Sequence, residues 1–429
     1  MNFNEAAIGC CESPLSPRPP SKDRAMLLGG AAFRPSLSVV RTRTERRSLV
    51  VIDPDRTPTA QQYAQARDGG CVGAYGALRS TMALFKQSCF TATGIQSLCW
   101  RGDELVDWVS GGRALAPDGT ERHASVHYGY RFDAATASPD GRFAVIYERL
   151  GTKGLLLCDG KVLRELNRIS YHANAYEYPV ALFHEPGGRL LLVHCPQEYC
   201  RIELEEAETG RVLTACAARK PADFFHSRLA ASPGGKRLLS AGWEWHPWGA
   251  VACFDVARAL ADPRHLDHID PLPYWGNLCM AEESSACWLD DDRVAVSGSD
   301  EPEDPEESHD DGARLRLLPR GLAVYDLAGG TCLHAFQLDE PPGTILAIGG
   351  HHVLSLHRRP KLIELATGKV LHVWTELRSG LQDGSIVWGL EGDAKPPPMA
   401  FDAARNRFAI ANGDKVTVVE FDRAVLTSR

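Results

Sequence analysis

Along most of the chain, apolar and polar positions alternate in short bursts with a period of two, and Gly, Asp, Asn and Pro separate the bursts. The stretch ATASPDGRFAVIYERLGTKGLLLCDGKVLREL, residues 135–166, shows the unit. It reads as a strand, an SPDG turn, a strand, a loop, a strand, a DGK turn and a last strand. A second unit runs over residues 181–216, others start near Arg228, Cys287, Ile345 and Ala400, and a weaker copy covers 97–115. Corresponding points fall near positions 98, 136, 182, 229, 286, 345 and 400, so seven units repeat at about 40 to 60 residues. Helical periodicity is nearly absent. One segment starting at Thr57, TPTAQQYAQARDGG, reads as a short helix with a capping threonine and terminal glycines.

A lone sheet of this pattern has two apolar faces, and each needs a neighbour. Stacking the sheets in a ring buries both faces and leaves only short edges. The expected fold class is therefore all-β: a seven-bladed β-propeller of four-stranded antiparallel blades over residues 95–422, with a tail over 423–429. The last unit shows only three strands and ends at Phe421-Asp422. Its outer strand is expected from the N-terminal side, within a connector over 47–94, with SLVVI (Ser48 to Ile52) as the best candidate. Residues 1–46 are rich in Pro, Ser and Arg, bury little, and read as a largely disordered basic arm.

The SPDGR element at Ser138 to Arg142 and VYDLAGGTCL at Val324 to Leu333 resemble β-propeller blades of the WD40-like kind. The resemblance spans roughly residues 95–422. Phe254-Asp255, Tyr325-Asp326 and Phe421-Asp422 stand where a Trp-Asp pair is usual, and the Gly-His signature is absent. What the resemblance implies is a propeller that scaffolds interactions.

In a meander blade, connections between strands one and two and between three and four emerge at one end. The others emerge at the opposite end. The first set is tight here: SPDG, EPGG, SPGG, LDDD, DGK, ETG, AGG and ATG. The second set is long, and includes GWEWHPWG from Gly242, NRISYHANAYEYPV from Asn167, ALADPRHLDHIDPLPYWGN from Ala259 and RSGLQDGSIVWGLEGDAKPPP from Arg378. Long loops on a rigid scaffold are where binding sites usually lie. Three of the nine tryptophans, Trp243, Trp245 and Trp248, fall within six positions of one such loop. Together they offer about 450–750 Å² of apolar surface, and leaving it all in water forfeits on the order of 10 kcal/mol. Either they pack against neighbouring loops, including Tyr274 and Trp275, or part of the cluster stays open as a contact surface. His246 among them is a candidate for hydrogen bonding to a ligand, and Tyr176 and Tyr178 belong to the same end.

Charge narrows the partner. The formal net charge is −8, and residues 1–50, with eight Lys/Arg against four Asp/Glu, hold about +4 of it, so the remainder carries about −12. That balance argues against a general nucleic-acid binder. Asp300 to Asp311 places eight carboxylates in twelve residues, a run suited to steering a basic peptide or, less readily, to binding a cation through oxygen. No apolar stretch reaches membrane-span length, and thirteen cysteines without a regular framework read as core residues in a reducing, cytoplasmic setting.

Motifs for chemistry are sparse. The chain has no G-x-S-x-G, P-loop or H-E-x-x-H. Cys195 and Cys200, beside His194, have a spacing that suits a hairpin offering two thiolates to zinc, without a second ligand pair. Alternation sends His351 and His352 to opposite faces. The leading expectation is a non-enzymatic module, without cofactor or metal, that holds a protein or peptide on its loop-rich end. The competing expectation is a propeller hydrolase or lyase with its site at the channel mouth, where His184 and Arg228 are the polar exceptions among small or apolar inner-strand residues.

Overall fold

The computed structural model describes residues 84–427, apart from 124–125, 245–247, 270–280, 303–314, 316 and 388–389. These residues fall within one compact unit, Leu78–Arg429. The arm over 1–46, Ser48 to Ile52, the helix expected from Thr57 and most of the acidic run lie outside the described residues.

Seven antiparallel sheets follow one another. Blade 1 comprises Cys99–Arg101, Glu104–Asp107, Arg113–Leu115 and Glu121–Arg122; blade 2 comprises Ala134–Ala137, Phe143–Tyr147, Lys153–Cys158 and Lys161–Asn167. Blade 3 holds Val180–His184, Leu190–His194 and Glu203–Glu206, with its fourth strand reduced to a single bridge between Glu205 and Val212. Blade 5 comprises Ala281–Trp288, Arg293–Pro302, Gly321–Asp326 and Thr331–Gln337; blade 6 comprises Ile345–Ile348, His352–Ser355, Lys361–Glu364 and Val370–Val373.

Blade 4 departs most from the expected pattern. Its innermost strand is split into Phe224–Phe225 and Leu229–Ala231, both paired with Arg237–Glu244, which in turn pairs with Trp248–Asp255. The split falls at residues 226–228, where Arg228 adopts φ +44°. Among the described residues no further strand follows before blade 5. The chain enters a short helix, Val256–Ala261, capped by Asp255, whose Oδ1 accepts from the Arg258 amide at 2.9 Å. Val256, Ala259 and Leu266 pack with Ile202 and Leu204 of blade 3, so this helix does the covering that an outer strand would do. The stretch from Ala259, expected as a plain connection, is thus partly structural.

Blade 7 closes the ring. Met399–Asp402, Arg407–Asn412 and Lys415–Phe421 are joined by an N-terminal strand, Phe85–Thr91, with Phe85 opposite Phe421 and Thr91 opposite Lys415. The expected clasp is present, but its strand is 85–91 and not 48–52. FKQSCFT reads as polar because an outer strand needs little apolar surface. Phe85 supplies it, 4.8 Å from the Trp374 ring, while Trp374 Nε1 donates to Gln87 Oε1 at 2.9 Å. Apolar clusters fill all seven junctions between blades, including blade 7 against blade 1 through Ala409 and Val418 with Leu98 and Leu105.

The turns at one end form a belt. Gly234 N donates to Asp291 Oδ1 at 2.7 Å, Gly349 N to Asn406 Oδ1 at 3.2 Å, and Arg405 Nη1 to the Gly102 carbonyl at 3.2 Å. Gly235 (φ +67°) is required there, because a Cβ would lie 1.9 Å from the His184 carbonyl oxygen of the neighbouring blade. The aromatic-Asp pairs close turns at this end: Tyr325 and Phe421 are buried, while Asp326 and Asp422 accept from the amides of Ala328 and Ala424.

Candidate binding face

At the other end the connections are long, and side chains organise them. Arg168 leaves the last strand of blade 2 and is 5% exposed. Its guanidinium donates to the carbonyls of Gly151, Ala173, Tyr176 and Glu177, and lies over the rings of Tyr176 (4.5 Å) and Tyr178 (5.0 Å). One buried cation therefore ties down the loop over 168–179, and its charge is offset by carbonyl dipoles and ring faces.

A column of rings rises from the interior beside this loop. Trp243 stacks on Phe225 at 3.8 Å, Phe225 on Tyr199 at 4.2 Å, and Tyr199 meets Tyr171 at 5.2 Å. Tyr176 meets Phe225 edge-on at 5.4 Å. Trp243 is buried and Tyr171 is 47% exposed, so the column runs from core to solvent. Tyr199 is fixed by its hydroxyl, which donates to Asp223 at 2.6 Å.

The connection between blades 6 and 7, residues 374–398, crosses the ring. Ile386 pairs with Tyr176, the Val387 amide donates to the Ala175 carbonyl at 2.7 Å, and Ser385 Oγ donates to the Gly242 carbonyl at 2.9 Å. On the way, Asp383 meets His357 Nδ1 at 2.5 Å. This strap joins blade 6 to blades 3 and 4. Charged groups lie nearby: Arg149 with Glu177 at 3.3 Å, Lys361 with Glu340 at 3.1 Å, and Arg228, which reaches the Ser284 carbonyl and lies 3.4 Å from Thr344 Oγ1. Burial disfavours the Arg228 charge, and Glu177 and Asp383 counter it through space.

Beside the strap, blades 7, 1 and 2 enclose a cavity of about 890 Å³. Its walls include Tyr147, Arg149 and Asp133 of blade 2, Glu376 and Lys395 of the strap connection, and Pro396–398. Lys395 Nζ stands 3.4 Å from Asp133 Oδ2 across it.

The structure separates the residues singled out from sequence. Tyr176, Tyr178 and Trp243 are buried and pack the interior. Trp243 does pack against a neighbouring long loop, through Tyr176. Trp248 is partly exposed at a strand start opposite Glu244. Trp245, His246, Tyr274 and Trp275 lie outside the described residues. His184 sits exposed in the turn belt, with Nδ1 3.2 Å from the Gly188 carbonyl.

Cys195 and Cys200 are free, burial raises the pKa of both, and His194 faces Glu205 at 3.3 Å. His352 is buried and His351 exposed, as alternation requires. Among the described residues no group of three or more His, Cys, Asp or Glu is arranged to hold a metal ion.

Sequence reasoning missed Arg168, Tyr147, Arg149 and Asp383. Arg168 had a signal, as a lone cation at a strand end opening a tyrosine-rich loop. Asp383 had none, because its partner His357 lies 26 residues away, in the loop between two strands of blade 6. No protein-family model matches the chain, and a search of curated proteins also finds no match.

Proposed function

We propose that the protein is a non-enzymatic binding module that holds a protein or peptide on its loop-rich end. The observation that carries this reading is the asymmetry of the ring. One end is closed by turns bonded to each other, while the other is built from long connections held by Arg168 and the strap, with a large cavity and an exposed ring at Tyr171. Trp245, His246, Trp248, Tyr274 and Trp275 are the further contact residues proposed at this end, and the acidic run from Asp300 favours a partner with basic character.

Affinity capture with paired variants tests the reading. Tyr171→Ala and Glu376→Ala at the loop end are expected to lose partners that His184→Ala and Lys161→Ala at the turn end retain. Partners lost only from the turn-end variants would reverse the assignment.

A further inference from the structure

One wall of the cavity carries side chains whose donors the fold uses only in part. Tyr147 faces the cavity, and its hydroxyl makes no hydrogen bond among the described residues. Arg149, two residues on, has Nη1 3.3 Å from Glu177, and its Nε and Nη2 donate no hydrogen bond among the described residues. The Arg149 side chain is 22% exposed and lines the cavity. Lys395 Nζ brings a second cation to the same wall, where it donates to Asp133 Oδ2 at 3.4 Å and keeps further N–H donors free for a ligand. Burial works against the Arg149 charge, but Glu177, Tyr147 and Asp133 outweigh it and hold the guanidinium charged. Burial also pushes the Tyr147 phenol up, so it stays a protonated donor.

The rim is different. Arg378 and Asp393 pair there at 64% and 83% exposure, and Glu376 meets only the Gln87 amide at 3.2 Å. Asp133 shares the wall with Arg149 and Lys395, further acids lie at the rim, and Pro396–398 with Met399 supply an apolar flank.

We infer that this cavity binds a carboxylate-terminated chain, with the carboxylate on Arg149, Tyr147 and Lys395 and the chain running out past Pro396–398 toward Glu376. A guanidinium with a free edge pairs with a carboxylate through two parallel hydrogen bonds, and a neutral hydroxyl adds a third. The volume is within the range of about 300–1,000 Å³ typical of ligand pockets and holds several residues of extended peptide. This rests on the proposed peptide-binding role and assigns it a chemistry: the free C-terminus of a peptide, or a small aliphatic carboxylic acid.

The test uses the full chain immobilised and N-acetylated tetrapeptides of randomised sequence, presented as free acids and as C-terminal amides. Free acids are expected to be retained about tenfold better than amides. Tyr147→Phe removes an unbonded hydroxyl without disturbing the fold, and is expected to shrink the acid-to-amide ratio several-fold. Arg149→Lys is expected to shrink it further. Competition by hexanoate at the concentration where the free-acid peptides compete would support the carboxylate site and assign its source to a small acid. Acids and amides retained equally, or a ratio unchanged in Tyr147→Phe, would overturn the inference while leaving peptide binding by the loop end standing. No retention of any peptide would sink both.

Discussion

The two ends of the ring are made by the same strands and differ in how they satisfy their backbone. At the turn end, closure is local: Asp326 and Asp422 accept from amides two residues on, and Gly235 lets neighbouring turns touch. At the loop end, single side chains do the closing, and some of them reach across the ring. Arg168 collects four carbonyls, Ser385 reaches Gly242, and Asp383 reaches His357. Local closure is encoded in a few consecutive residues and leaves little room for variation. Closure by single side chains holds many loop residues, and it leaves a cavity between them.

Opening the ring should abolish the contrast altogether. A chain starting at Leu78 is expected to keep its melting temperature, whereas one starting at Ala92 loses Phe85–Thr91, uncovers Trp374 and Phe421, and forfeits more than about 5 kcal/mol, comparable with the whole stability of a domain. Thermal unfolding of the two truncations decides this, and equal melting would refute the clasp.

Trp243→Ala comes next, at about 3–5 kcal/mol, because the stack on Phe225 is buried. A variant that lost partners but kept its stability would return Trp243 to the contact surface. Arg168→Ala should cost about 3 kcal/mol by stripping buried carbonyls of their donor. Hydrogen exchange should rise over 168–179 and stay unchanged in the SPDG and SPGG turns, and a uniform rise would mean that the ends are not independently held.

His226 sharpens the comparison by pH. Burial lowers its pKa to about 3, against 6.5 for the free side chain. Between those values the unfolded chain binds the extra proton, so stability falls as pH drops below about 6.5, by up to about 1.4 kcal/mol per unit from this group. Replacing it in His226→Gln should flatten the denaturation midpoint against pH between pH 6.5 and 4, and an unchanged slope would exclude His226 as a source. The smallest effect is expected at the turn end. Asp326→Ala removes one cap, and a loss well above about 1 kcal/mol in urea unfolding would show that this end is not closed locally.

Much of this was legible because it is short-range. Period-two alternation with Asp and Gly at the turns announced seven sheets, and sheets with two apolar faces required a ring. The clasp was foreseen as a need, but FKQSCFT was missed because an outer strand has one open edge and a weak apolar signature. The helix at Val256–Ala261 was missed because it occupies the place of a strand and is too short for a clear 3.6-residue pattern. At the loop end, the one-sided distribution of long loops was visible, but the exposure of particular rings was not. Tyr171, never singled out, lies in solvent, while Tyr176 and Trp243 lie inside.

Alternation and turn chemistry depend on neighbours along the chain, so the sequence by itself determined the seven-sheet ring and which end carries the long connections. Which aromatic is buried, which arginine keeps open donors and which carboxylate meets which cation depend on residues brought together from separate connections. Arg149 meets Glu177 of the connection between blades 2 and 3, and Asp383, in the connection after blade 6, meets His357 between two strands of that blade. Only the tertiary structure decided these, because a side chain's accessible partners are set by distances in space that no local pattern encodes.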